Sequence, residues 1–318
     1  MKEYSLHKLR ENEFHKLIPL MQNCFDQKVN IDYFKWKFQN NPAGFVFGFY
    51  AKNQNNEIAA YYGLIPQFFI INNVRRTIYQ SCDTMTHSNH RRKGLFQKLA
   101  LHCYKKLKEE NKLFIIGFGG GQSTPGFKKF GWEEIFKMKY YFYPKQFKFY
   151  RRFSTKGVYE VKKISEIQEL LIKSNDEIII HSEKSIEIYK WRISNPRNDY
   201  RIIGTRNGSI FDSYLTYYMK KDKIVLFDFY FSNMASGEKL INFLKNKLNS
   251  SIKGIVGFIQ ENSSLSQQLS SFKFLNNPFK YGPLTEKVPF IFFSDSKEMK
   301  TYNNPSNWQI NSFEHDSL

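Results

Sequence analysis

The sequence predicts an α/β fold built twice, each copy a mixed, mostly antiparallel sheet flanked by helices. Three observations carry this. The chain has 318 residues, which at about 150 residues per domain makes two. The segment Phe34-Lys35-Trp36-Lys37-Phe38-Gln39-Asn40-Asn41-Pro42 is echoed by Tyr189-Lys190-Trp191-Arg192-Ile193-Ser194-Asn195-Pro196, with the tryptophans 155 residues apart. Around both copies the same elements recur in order: helices, an aromatic-Lys-Trp-basic turn stopped near proline, strands, a long helix, an apolar strand and a short helix.

The first copy opens with a short strand, Tyr4–Leu9, and a helix, Glu11–Phe25. Asp32 is placed to cap a second helix, Tyr33–Gln39. Strands follow at Phe45–Lys52 and Ile58–Ile70 across the polar turn Asn53-Gln54-Asn55-Asn56. Asn72-Asn73 turns the chain into a strand from Thr77 to Thr86. A polar loop, His87–Lys93, leads into a long amphipathic helix, Gly94–Glu110. Leu113–Phe118 reads as a buried strand, Gly119–Gly121 as a loop, Pro125–Phe130 as a short helix and Glu134–Tyr143 as a closing strand pair. This gives a first domain over residues 1–146 and a basic linker over 147–157.

The second copy covers residues 158–294. Ile164–Ile172 is a helix and the Trp191 helix follows. Strands are expected at Tyr200–Thr205, Ser213–Lys220 and Ile224–Phe231, a helix at Glu238–Leu248, a buried strand at Gly254–Ile259 and a short helix at Ser264–Phe272. Residues 295–318, rich in Asn and Ser, read as a polar tail.

Composition narrows the class. Hydrophobic residues are 41% and charged ones 24%, which excludes a wholly disordered or collagen-like chain. No apolar run approaches the ~20 residues of a membrane span, so no membrane insertion is expected. The first residues lack the apolar core of a signal peptide. Cys24, Cys82 and Cys103 are scattered, with no CxxC pair, so neither a disulfide framework nor a zinc site is expected and a cytoplasmic setting fits. Lys and Arg number 48 against 29 Asp and Glu, a net charge of +19. Such an excess attracts anions such as nucleic acid, anionic lipid or a phosphorylated small molecule. AT-rich codon usage explains it equally well.

The sharpest local pattern is Thr84-Met85-Thr86-His87-Ser88-Asn89-His90-Arg91-Arg92-Lys93-Gly94-Leu95-Phe96. It runs from a strand through a basic loop ending in glycine into a helix. The first turn of a helix has unpaired N–H groups and the positive end of the dipole. A glycine lets an anion approach, and the cations Arg91, Arg92 and Lys93 add to the field. Taken alone, the pattern also fits a basic loop with a glycine at a tight turn.

This stretch resembles motif A of the GNAT superfamily of N-acyltransferases, (Arg/Gln)-x-x-Gly-x-(Gly/Ala), which cradles the pyrophosphate of acyl-coenzyme A. Arg91 and Gly94 match, while Phe96 stands where the family usually has a small residue. The resemblance implies that Met85 and Thr86 pair through their backbone with pantetheine. It also implies that Leu113–Phe118 splays from the preceding strand to open a slot, and that Arg91, Arg92, Lys93, Gly94, Leu95 and Phe96 bind the cofactor. Ser123-Thr124-Pro125-Gly126-Phe127-Lys128-Lys129-Phe130-Gly131-Trp132 resembles the family's closing motif, so Ser123 and Phe127 join the cofactor site. Phe127 stands where many members carry a general-acid tyrosine, and a phenyl ring cannot protonate a thiolate. In the second copy Ser232-Asn233-Met234-Ala235-Ser236-Gly237-Glu238 has no Arg-x-x-Gly and places an acid where phosphate would sit. One cofactor site is therefore expected, in the first half.

A tandem arrangement with one degenerate domain resembles the sugar N-acyltransferases of bacterial surface-polysaccharide pathways, such as those of lipopolysaccharide O-antigen. It implies transfer of an acetyl or short hydroxyacyl group, such as 3-hydroxybutyryl, from acyl-CoA to the amine of a nucleotide-linked deoxyamino sugar. A dTDP-3-amino-3,6-dideoxyhexose is such an acceptor. No metal is required. The amine must lose a proton at or before attack, and strand alternation places Asp83, Met85 and His87 on one face. Asp83 and His87 are the candidate bases. Asp83 equally fits a hydrogen-bonded structural carboxylate, and His87 a loop histidine facing solvent. Gln122 and Trp191 are acceptor-binding candidates, set against plain loop polarity for the first and core packing for the second. Cys82, on the opposite strand face, reads as core.

Two rival classes remain. A Fem-type aminoacyl-tRNA-dependent transferase also pairs two such domains and would use the positive charge. A basic nucleic-acid-binding module with lapsed catalysis would account for Phe127. The Arg91–Phe96 loop suits CoA rather than nucleic acid.

Overall fold

The computed structural model describes residues 3–25, 30–120, 124–148, 152–175, 178–277, 279, 281–282, 284–295 and 299–315. It divides into two units. The first comprises residues 1–69, 75–133 and 291–303, the second residues 70–74, 134–290 and 304–318.

In the first unit β1 (Ser5–Lys8) leads through a 3-10 segment, Glu11–Leu17, into α1 (Ile18–Phe25). α2 (Ile31–Phe34) passes directly into a π-helical turn, Lys35–Gln39, which carries Trp36. Asn30, not Asp32, caps α2, its side chain accepting the N–H groups of Asp32 and Tyr33. β2 (Phe47–Lys52) and β3 (Ile58–Ile71) follow, then β4 (Val74–Thr86). Asn72 and Asn73 both adopt left-handed backbone angles, φ 50° and 62°, as a two-residue hairpin turn requires. α3 (Leu95–Glu109), β5 (Phe114–Phe118) and α4 (Thr124–Lys129) complete the series. The strand order is β1-β2-β3-β4-β5. β1–β2 and β2–β3 are antiparallel and β4–β5 is parallel. α3 buries Leu95, Leu99, Ala100, Cys103, Tyr104 and Leu107, an apolar stripe at helical spacing.

From Glu134 on, β6 (Glu133–Pro144) belongs to the second unit and is one strand rather than a pair closing the first domain. Its register explains the change: β6 pairs with a later strand from Pro144 opposite Gly254 to Met138 opposite Gln260. β7 (Val158–Glu160), α5 (Gln168–Lys173), β8 (Ile180–Ser182) and α6 (Ile186–Ile193) come next. After them run β9 (Arg201–Asn207), β10 (Ile210–Lys220), β11 (Lys223–Tyr230), α7 (Met234–Asn246), β12 (Gly254–Gln260) and α8 (Ser264–Ser271). The order β7-β9-β10-β11-β12 repeats that of β1–β5, again with its parallel pair last, between β11 and β12. Both units therefore have a mixed, mostly antiparallel sheet. The linker is anchored: Phe153 exchanges backbone hydrogen bonds with the Asn246 side chain at 3.0 and 2.8 Å.

The segment read as a polar tail is not one. Beyond β13 (Leu275–Asn276) and β14 (Lys287–Ser294), residues 295–303 belong to the first unit. Residues 308–315 pack into the second, where β15 (Trp308–Gln309) pairs with β8. Trp308, Ile310 and Phe313 are buried. Three large apolar side chains among Asn and Ser suffice to bury a short segment.

Candidate active site

β4, the loop after it and the start of α3 form the site. The parallel ladder with β5 joins Tyr79 to Ile115 and Gln80 to Ile116, while β4 continues to Thr86. Within that continuation Asp83 has φ +45°. A left-handed residue inside a strand bends it and breaks the two-residue alternation. Around this bend Met85 is buried, while Asp83 and His87 are half-buried.

The loop is held at several points. The His87 N–H donates to Ala59 O at 2.9 Å, and the Ser88 N–H donates to Asn23 Oδ1 at 2.9 Å. His90 Nδ1 lies 2.9 Å from the Tyr4 hydroxyl. Thr86 O accepts from Cys24 Sγ at 3.3 Å and Arg91 Nε at 3.5 Å, so the carbonyl expected to meet pantetheine already has partners. The Asn89 N–H donates to His87 Nδ1 at 3.2 Å. A neutral imidazole has a single accepting nitrogen, and here a backbone donor uses it.

Arg92 and Gly94 take left-handed angles, φ 62° and 70°. Gly94 is the N-cap of α3 and supplies no side-chain acceptor. The first helical bond runs from the Lys98 N–H to Gly94 O, leaving the N–H groups of Leu95, Phe96 and Gln97 without helical partners. A Cβ built on Gly94 would meet nothing within 4 Å, so the space over the helix start is open. Arg91, Arg92, Lys93 and Lys98 are exposed around it. Glu3 neutralises one of them, 2.7 Å from Lys93. Cations, free N–H groups and open space together suit a pyrophosphate.

Behind the loop, Leu95 is core and Phe96 is half-buried. The Phe96 ring lies 5.3 Å from Phe127, 5.7 Å from Phe130 and 6.0 Å from Tyr62. Phe127 is itself buried, 4.7 Å from Trp132. Both departures from the family motif thus pack against each other. Trp132 Nε1 donates to the Tyr104 hydroxyl at 3.0 Å, which lies 3.1 Å from that of Tyr62. Burial pushes both phenols far up, so they stay protonated. Gln122 and Ser123 lie outside the described residues. Trp191 is buried in the second unit.

The partner of Asp83 comes from a segment far away in the sequence. Lys37, from the π-helical turn, places Nζ 2.7 Å from Asp83 Oδ2 and is itself 1% exposed. The repeated Trp-basic dipeptide was the available signal, since Arg192, after the second tryptophan, is also buried.

The corresponding cleft of the second unit is filled. β11 and β12 pair from Lys223–Gly254 to Leu226–Gly257, and beyond that the C-terminal segment lies against both. The Gln260 N–H donates to Ile310 O at 3.2 Å. Ser312 Oγ donates to Phe258 O at 3.2 Å, and Asn311 Nδ2 to Asp228 Oδ1 at 3.0 Å. Among the described residues no group of His, Cys, Asp or Glu could hold a metal, and no helix is long and apolar enough to cross a membrane.

Residues 5–135 match the acetyltransferase (GNAT) domain family. No curated protein matches the chain. Several solved structures share its fold. A conserved protein of unknown function from Enterococcus faecalis has TM-score 0.72 at 9% identity, over 92% of this chain and 72% of that one. A GCN5-related N-acetyltransferase from Anabaena variabilis has TM-score 0.65 at 10% identity, over 91% and 72%. The N-myristoyltransferase of Saccharomyces cerevisiae, solved with bound myristoyl-CoA, has TM-score 0.64 at 9% identity, over 92% and 79%. At such identities the likeness is one of fold, and that fold is GNAT-like.

Proposed function

We propose that the chain is an acyl-CoA-dependent N-acyltransferase with one cofactor site, in the first unit. Its acceptor is the amino group of a nucleotide-linked deoxyamino sugar, such as a dTDP-3-amino-3,6-dideoxyhexose, and its donor acetyl-CoA or a short hydroxyacyl-CoA. The observation that carries the reading is the open, uncapped start of α3, ringed by Arg91, Arg92 and Lys93, within a segment that matches an acetyltransferase domain. That yeast N-myristoyltransferase, of the same fold, was solved with an acyl-CoA supports the donor. The sugar rests on the tandem plan with a degenerate second copy, and the filled cleft beside Asp228 supports a single cofactor site.

The residues divide the work. The loop cations and the N–H groups of α3 would hold the CoA pyrophosphate. Asp83 is the base of the reading, because the accepting nitrogen of His87 is occupied. The acceptor ammonium loses one proton to Asp83, its lone pair forms the C–N bond, and the C–S bond breaks to release CoA thiolate as the nitrogen gives its second proton to water. A backbone N–H near the Asp83 bend would steady the developing oxyanion. Phe127 has no proton to give, so water protonates the thiolate.

A thermal-shift series with CoA, acetyl-CoA, dTDP- and UDP-amino sugars and tRNA tests this. CoA at about 100 times its Kd should stabilise the protein by about 2.7 kcal/mol. Gly94→Glu should abolish that shift by placing a carboxylate where phosphate binds. Stabilisation by tRNA and not by CoA would sink the reading in favour of a tRNA-dependent transferase.

A further inference from the structure

Each unit carries, near the end of the strand before its long helix, an aspartate paired with a buried lysine. Asp83 sits three residues before the end of β4, and Asp228 two before the end of β11. Lys37 Nζ is 2.7 Å from Asp83 Oδ2, and Lys184 Nζ is 2.7 Å from Asp228 Oδ1. Both ammonium groups also lie over an aromatic ring, Lys37 over Tyr33 at 5.6 Å and Lys184 over Phe313 at 5.4 Å. A buried ammonium is costly unless paired, so each lysine is bound to its aspartate's position.

What completes the two pairs differs. Asp228 is sealed, with 0% side-chain exposure. The Tyr214 hydroxyl donates to its Oδ2 at 2.7 Å, and Asn311 Nδ2, from the inserted C-terminal segment, donates to its Oδ1 at 3.0 Å. Asp83 keeps 17% exposure. Among the described residues no donor besides Lys37 reaches its carboxylate. In the second unit Lys184 and Asn311 share Asp228 Oδ1 and Tyr214 takes Oδ2, so both oxygens are occupied, whereas Asp83 has one oxygen paired.

We propose that Lys37 is a positioning residue that anchors Asp83 Oδ2 and leaves Oδ1 to meet the acceptor nitrogen. The inference rests on the N-acyltransferase reading above. Its physical content is preorganisation: a carboxylate anchored at one oxygen, on a backbone bent at φ +45°, meets the incoming nitrogen without searching rotamers.

The test compares wild type, Lys37→Met, Lys37→Arg, Asp83→Asn and the Lys37→Met/Asp83→Asn double variant on the full chain. Steady-state transfer to a dTDP-3-amino-3,6-dideoxyhexose is measured beside CoA titration and melting temperature. Lys37→Met should lower kcat about 100-fold while CoA affinity stays within about twofold. Lys37→Arg should recover most of that loss. The double variant should be no slower than Asp83→Asn, because residues acting as one unit are not additive. A Lys37→Met loss that matches its loss of folded protein, that Arg does not rescue, or that adds fully to Asp83→Asn overturns the inference and leaves the function intact. A wild type that binds CoA and acylates none of the amino sugars removes the acceptor reading, and the inference with it.

Discussion

Gly63 and Gly48 show how a single missing Cβ shapes the first unit. Both lie beside the fully buried Tyr61: a Cβ on Gly63 would run into its hydroxyl, and one on Gly48 would come within 2.7 Å of it. The two glycines form the hollow that takes the phenol on the face of the sheet opposite Tyr62. Gly63→Ala is expected to cost about 1–3 kcal/mol through overpacking, read as a fall in the urea midpoint with unchanged m-value. Gly94 is different in kind, since open space surrounds it and its backbone angle makes the demand. In the sequence Gly94 stood out because it ended a basic loop before a helix. Gly63 did not, because its partner is two residues away on the same strand face and only packing shows the collision.

At the scale of an element, the C-terminal segment is the instructive case. Its composition suggested solvent, yet it closes the second unit. Glu314, fully buried, accepts from Ser182 Oγ at 2.5 Å and from the Asn311 N–H at 2.7 Å. Burial raises its carboxyl above the usual carboxylate range, against the lowering effects of Lys184, Ser182 and Asn311. The folded state therefore holds this proton more tightly than the unfolded chain. Its stabilising contribution is complete below the unfolded value of 4.5 and is lost as pH rises through the folded one. Glu314→Gln stays neutral throughout, so its stability relative to wild type should rise between pH 4 and pH 8. Urea unfolding at both pH values reads the difference, and a difference constant with pH would mean that the carboxyl titrates alike in the folded and unfolded chains. The long helices were legible by contrast: the stripe of α3 has the period of the helix itself and needs no knowledge of what it packs on. The π-helical turn at Lys35–Gln39 carried no such signature, because its apolar spacing matches an ordinary helix.

Across the whole molecule the net charge of +19 acts on any polyanionic substrate. Its long-range part is screened once the Debye length falls below the spacing of the charges. CoA affinity is expected to drop about tenfold between 0.05 and 0.5 M salt, measured by calorimetry at fixed pH. An affinity indifferent to salt would mean that backbone N–H groups, and not the Arg91–Lys93 cations, dominate binding. The two-unit plan belongs to this scale as well. The Trp36 and Trp191 echo announced it, and the matching orders β1-β2-β3-β4-β5 and β7-β9-β10-β11-β12 show the same succession in space.

By itself the sequence determined what is local. The strand-loop-helix at Thr84–Phe96, the amphipathic helices, the asparagine turns and the repeat all depend on residues a few positions apart, whose propensities and spacing act without help from the rest of the chain. Tertiary structure decided what depends on partners far away in sequence. It assigned β6 to the second unit through its ladder with β12, drew residues 308–315 into the cleft beside Asp228, and gave Asp83 a lysine from a helix 46 residues earlier. Such pairings are selected by the loss of water from both partners at once, a cost and a gain that neither segment carries alone.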